Sequence, residues 1–140
     1  MDKFYVDACI YINHWQREIE TGTGRPLWEL AQAFFGKYLD ATFYFSGFLL
    51  RELEFNLTKK EFEQHKEVFR QKNFRKLIMS SGEWEEARRM EWALKFSVSF
   101  YDLIHLLLAR KAEAILVTRD RRLIGAARQY SVDARRPEDL

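Results

Sequence analysis

The chain has a single cysteine, Cys9. That excludes an internal disulfide framework and any zinc site built on several thiolates. It has no apolar stretch approaching the roughly 20 residues needed to span a bilayer. The turn-rich segment 21–26 contains no Gly-Lys-Ser or Gly-Lys-Thr, so it is no phosphate loop. Neither sign of charge dominates: a net charge of +2 over 140 residues does not announce a nucleic-acid binder. No signal peptide is read, and the expected setting is therefore reducing and cytoplasmic. With no repeat, low-complexity tract or linker either, one domain over residues 1–140 is expected.

What is there argues for a packed protein. Apolar residues make up 47% of the chain and aromatics 16%, which disfavours disorder. Residues 3–8 read as a strand buried on both faces, because apolar side chains do not alternate with polar ones. Pro26 opens a helix with a stripe of Leu27, Leu30, Ala31, Phe34 and Tyr38. Residues 41–46 form a second strand, and Gly47 leads into a short helix. Residues 58–76 are charged and amphipathic, with Phe62, Val68 or Phe69, and Phe74 as core contacts. A short third strand is placed at 77–79 and a helix at 83–96. Ser99 caps a further helix over 102–111. A strand at 114–118, a helix at 121–130 and a last strand at 132–135 complete the chain. Strands alternating with helices predict an α/β fold, a parallel sheet sandwiched between helices.

Asp7 is the most informative residue. It sits inside the apolar run 4–12, where an unpaired charge costs several kcal/mol. It therefore needs an open strand end and a cation. Glu52, Asp102 and Asp120 are three further acids able to meet it. Glu52 is preferred to Glu54 because helical spacing centres it in an apolar arc between Phe48, Phe55, Leu49 and Leu53. Asp102 starts a helix that is apolar almost all round, which puts its first turn inside the molecule. Asp120 follows a strand on the edge where open parallel sheets bind ligands. Each also has a plainer reading: Asp7 paired with an arginine, Asp102 and Asp120 as acids at helix starts. His105, one turn after Asp102, either donates to the acids or is a satisfied core histidine. An all-carboxylate set favours Mg²⁺ or Mn²⁺ over zinc, and phosphodiester hydrolysis as its chemistry. Arg119, Arg121 and Arg122 flank Asp120 and suit a phosphate backbone, or are a solvated helix face.

Taken in order, Phe4-Tyr5-Val6-Asp7-Ala8-Cys9, Ser46 to Arg51-Glu52-Leu53, Tyr101-Asp102-Leu103-Ile104-His105, Ile115 to Thr118-Arg119-Asp120 and Arg136-Pro137-Glu138-Asp139-Leu140 resemble a PIN domain of the VapC type. The resemblance covers nearly the whole chain. It implies a parallel sheet of four or five strands and Mg²⁺ or Mn²⁺ on Asp7, Glu52, Asp102 and Asp120. Thr118 matches the hydroxyl residue at the edge of such sites. The activity implied is cleavage of single-stranded RNA to 5′-phosphate and 3′-hydroxyl products. Implied partners are a cognate antitoxin and a second copy of the chain, in a homodimer built on helices. Residues 58–80 and the stretch from Trp84 to Trp92 match no motif of the family. Three alternatives stay open: an RNA-processing nuclease without an antitoxin, a small-substrate phosphohydrolase, and a PIN-like module that binds RNA or protein without cutting. A haloacid-dehalogenase-type phosphatase is disfavoured, since its second Asp would fall at Cys9.

Overall fold

Four residues, Lys3–Val6, form β1, the middle strand of a parallel sheet. The computed structural model describes residues 2–140. Among these, helices and strands follow in the order α1 Ala8–Trp15, α2 Leu27–Lys37, β2 Thr42–Ser46, α3 Gly47–Asn56 and α4 Lys59–His65. A 3-10 turn, Lys66–Arg70, precedes β3 Phe74–Leu77, α5 Ser81–Ala93, α6 Phe100–Lys111, β4 Ile115–Val117, α7 Arg121–Gln129 and β5 Ala134–Arg135. The strand order is β3-β2-β1-β4-β5, with every pair parallel. The five-stranded α/β architecture is the one expected. No helix among the described residues is long and apolar enough to cross a membrane.

Side chains of β1 alternate between two cores, one on each face of the sheet. Phe4 and Val6 pack with Ile10, Tyr11, Phe34, Phe43 and Leu49. Tyr5 points the other way, toward Leu103, Leu106, Leu107, Leu116 and Leu123. Each fully buried side chain of this size contributes about 1.5–3 kcal/mol. β1 is thus sealed on both sides, which explains why its sequence lacks alternation.

Several boundaries differ from the expectation, those of three elements for a clear physical cause. The first strand stops at Val6 instead of residue 8, and residues 8–15 are helical. Residues 4–12 form one apolar run across a strand and a buried helix, and such a run has no period that marks the change. The break is Asp7 itself, extended at φ −66°, ψ 153°, whose side chain accepts from the Ala8 amide and caps α1. The third strand lies at Phe74–Leu77 instead of 77–79, because it is an edge strand that exposes Arg75 and Lys76 and carries little apolar signal. The helix expected over 83–96 runs from Ser81 to Ala93. Ser80 and Glu83 form a reciprocal capping box at its start, and Lys95 and Phe96, with φ of 53° and 58°, end it in the left-handed region.

Candidate active site

The chain winds outward from β1 through β2 to β3, then returns to the other side of β1 for β4 and β5. The reversal leaves a crevice between β1 and β4 at their carboxyl ends, the usual ligand position in an open parallel sheet. Asp7 follows β1 there and Thr118 follows β4. Asp7 is buried, and both of its oxygens are held. Oδ1 accepts from the Ala8 amide at 2.8 Å, and Oδ2 accepts from the Thr118 hydroxyl at 2.8 Å. The Thr118 oxygen in turn accepts from the Asp120 amide at 3.2 Å. Cys9 lies beside them, its thiol 3.5 Å from Asp7 Oδ2; burial, then the charge of Asp7, pushes that thiol up and keeps it unreactive.

Glu52 reaches the same point from α3. Asp7, Glu52 and His105 each offer a ligand atom, and these atoms lie within 4.8 Å of one another. Glu54, the competing acid on α3, is exposed. His105 is fully buried on α6, and its two readings turn out to be one. It is a satisfied core histidine because it bonds to the acids: Nε2 lies 2.5 Å from Glu52 Oε1. Nδ1 lies 2.7 Å from the Tyr5 hydroxyl, which is 2.7 Å from Ser46 Oγ.

Burial alone would favour a neutral imidazole. The hydrogen bond to Glu52 and the fields of Asp7, Glu52 and Asp102 outweigh it and raise the His105 pKa. In the imidazolium both ring nitrogens donate, to Glu52 and to Tyr5, and the Tyr5 O–H then donates to Ser46. Sequence reasoning missed Tyr5 and Ser46. The available signals were the position of Tyr5 opposite to Phe4 and Val6, and Ser46 as the cap of α3, where its oxygen accepts from the Leu49 amide at 3.2 Å.

Asp102 and Asp120 stand outside this tightest group. Asp102 occupies the first turn of α6, whose cap is Ser99 Oγ accepting from the Asp102 amide at 3.1 Å. Its carboxyl is pushed up to about 6, first by burial and next by the charge of Asp7, with Asp120 adding to both. The hydrogen bond to Ser99 and the charge of His105 pull the other way. Asp102 thus feels the charges of both Asp7 and Asp120. Asp120 keeps its plainer role as well: its Oδ1 caps α7 by accepting from the Arg122 and Leu123 amides at 2.9 and 3.2 Å.

The three arginines divide. Arg121 and Arg122 are exposed at the start of α7. Arg119 points elsewhere: its Nε donates to Asn13 at 3.2 Å and its Nη1 to Glu138 at 2.8 Å, with 14% of the side chain exposed. A guanidinium so enclosed is a strut between α1, the β4–α7 loop and the C-terminal turn, where Arg25 also meets Glu138.

Comparison with known proteins agrees with this fold. The family described as "PIN domain" matches residues 4–129, most of the chain. The chain belongs to the PIN domain family. No curated protein matches it. Among solved structures, it is similar to FitAcB from Neisseria gonorrhoeae, with 15% identity and a TM-score of 0.68 over 98% of this chain and 99% of that one. It is also similar to FitAB bound to IR36 DNA fragment, with 14% identity and a TM-score of 0.66 over 98% and 96% of the two chains. At such low identity the likeness establishes the fold alone.

Proposed function

We propose that residues 1–140 form a single PIN nuclease domain, a Mg²⁺- or Mn²⁺-dependent endoribonuclease that serves as the toxin of a VapBC-type pair. The observation that carries this reading is the meeting of Asp7, Glu52 and His105 within 4.8 Å at the switch point of a PIN sheet. Asp7, Glu52, Asp102 and Asp120 are the proposed ligands. Their donors are all carboxylate oxygens, which suits a hard divalent cation. His105 is assigned to hold Glu52 rather than to ligate, since both its ring nitrogens already have partners. Such an ion, when bound, activates water and neutralises charge building on a phosphoryl group.

The chain's own residues would hold that arrangement ready. Thr118 fixes the rotamer of Asp7, and the Ser46–Tyr5–His105 chain fixes Glu52 from inside the core. Arg121 and Arg122 are proposed to take RNA phosphates, while Arg119 acts through the loop it braces. A flexible single strand can bend into a recessed site where a duplex cannot, so single-stranded RNA is the expected substrate. The likeness to FitAB supports assembly with a partner, here an antitoxin. Exposed Trp92 and Phe96 support a homodimer.

The test is cleavage of RNA in Mg²⁺ or Mn²⁺, with EDTA and Asp7→Asn as controls that should each abolish it. Asn is itself a good helix cap, so metal-free Asp7→Asn should unfold within about 1 kcal/mol of the parent. Mn²⁺ should raise the melting temperature of the parent and not of the variant. Cleavage that survives both controls would overturn the reading.

A further inference from the structure

α7 and the β5 edge border an open cleft of about 780 Å³. Arg121, Arg128, Arg135 and Arg136 line it against two acids, Asp133 and Asp139. Neither acid is free: Asp133 pairs with Arg135 and Asp139 with Arg136, both at 2.9 Å on half-exposed side chains. Such surface pairs are weak and exchange readily for a better anion. Arg121 and Arg128 are exposed and lie two helical turns apart, about 10 Å along one face of α7. Between them on that face is Gly125, where an added Cβ would meet nothing within 4 Å. Glycine is a poor helix former, but here it leaves the backbone open to close approach. None of Asp7, Glu52, Asp102 and Asp120 lines the cleft. Yet Arg121 follows Asp120 directly in sequence, so the cleft begins beside that acid.

We propose that this cleft binds the phosphodiester backbone of single-stranded RNA and carries the strand away from the acidic site. The proposal rests on the ribonuclease reading and adds Arg128, Arg135 and Arg136 as substrate contacts. A carboxylate cluster repels a polyanion, so affinity has to come from cations set apart from it. Planar guanidinium forks match phosphate oxygens two at a time. Four of them around one cleft, with two free of acidic partners, give the strand a path that the acids do not.

The experiment uses the full chain in EDTA, a labelled single-stranded RNA and fluorescence anisotropy across a salt series. A single strand releases about 0.7 counterion per phosphate contact, so Arg128→Gln with Arg135→Gln should flatten the log–log salt slope by about 1.4. Binding at 0.15 M salt should weaken roughly fifteenfold. Gly125→Gln fills the cleft at constant charge and should weaken binding without lowering the melting temperature, since glutamine is the better helix former. Arg75→Gln with Lys76→Gln removes the same charge from β3, the opposite edge of the sheet, and should leave binding near the parent's. Equal weakening by the β3 pair would reduce the effect to net charge and overturn the proposal. Undiminished binding in the cleft variants would also overturn it, while RNA cleavage by the parent would leave the ribonuclease reading standing. Tighter capture of polyglutamate than of RNA would assign the cleft to an acidic protein and overturn it as well.

Discussion

Replacing Asp102 with asparagine should stabilise the metal-free protein, and the size of the gain follows from its surroundings. The carboxyl is pushed from an ordinary value of 3.8 up to about 6 by burial and then by the charge of Asp7. A raised carboxyl pKa means that the folded state holds the proton more tightly than the unfolded chain does. Stability is therefore lost as the pH rises from about 4 to about 6, and above that window the penalty is complete. At full strength the shift is worth roughly 3 kcal/mol; partial exposure cuts it to about 1–2 kcal/mol. Against this, the first turn of α6 loses an acid that its dipole favours, at about 0.5 kcal/mol. The cap itself survives, because Ser99 accepts from the backbone amide of residue 102 and not from its side chain. The net gain at pH 7 should be near 1 kcal/mol, or roughly 3 °C in melting temperature. Near pH 4 the difference should vanish. Thermal unfolding in EDTA from pH 4 to 8 measures it, and added Mn²⁺ should stabilise the variant less than the parent. A less stable variant at pH 7, or a difference constant across the range, would refute the reasoning.

Two other outcomes follow from the same geometry. His105→Leu removes the partner of a partly buried carboxylate and should cost about 2–4 kcal/mol; because the His105 pKa is raised, the parent's advantage should be full below pH 6.5 and shrink as the pH climbs through the folded value, so a flat difference up to pH 9 in chemical denaturation would contradict a charged imidazole. Trp92 and Phe96 are 71% and 56% exposed and pack edge to face at 5.0 Å; if they belong to a homodimer interface, light scattering should give a dimer that Trp92→Lys converts to a monomer, and a monomeric parent at micromolar concentration would end the idea.

The strand–helix alternation was legible because β1, β2 and β4 are short apolar segments separated by helices, most of them capped by Ser, Thr or Asp. Helical spacing put Glu52 beside Leu49 and Leu53, which are buried, although Phe55 of the same expected arc is 89% exposed. Three kinds of feature stayed out of reach. The change from β1 to α1 occurs inside one apolar run, and the residue that marks it, Asp7, was read for its charge before its capping role. β3 is an edge strand with two exposed basic residues, and so resembles the charged helix before it. The partners of Arg119 lie far away in sequence, in Asn13 and Glu138. Spacing along the chain made it look like a neighbour of Arg121 and Arg122, whereas the fold turns it inward.

His105 bears on how the acids are kept together. Four carboxylates on one edge would drive each other apart if water alone separated them. The fold answers part of that repulsion at His105, whose pKa the acids raise and whose ring Tyr5 and Ser46 hold from the core side. One histidine facing several acids leaves a deficit. Its trace is Asp102, which holds its proton to a higher pH than a free aspartate would. A fixed cation in the crevice would remove the deficit and also occupy the place where a divalent ion is proposed to sit. Arg119, the nearest candidate by sequence, instead turns toward Glu138 and leaves the crevice to the acids. The site is thus short of positive charge by construction, and the arginines that could supply it to a polyanion stand along α7 and β5.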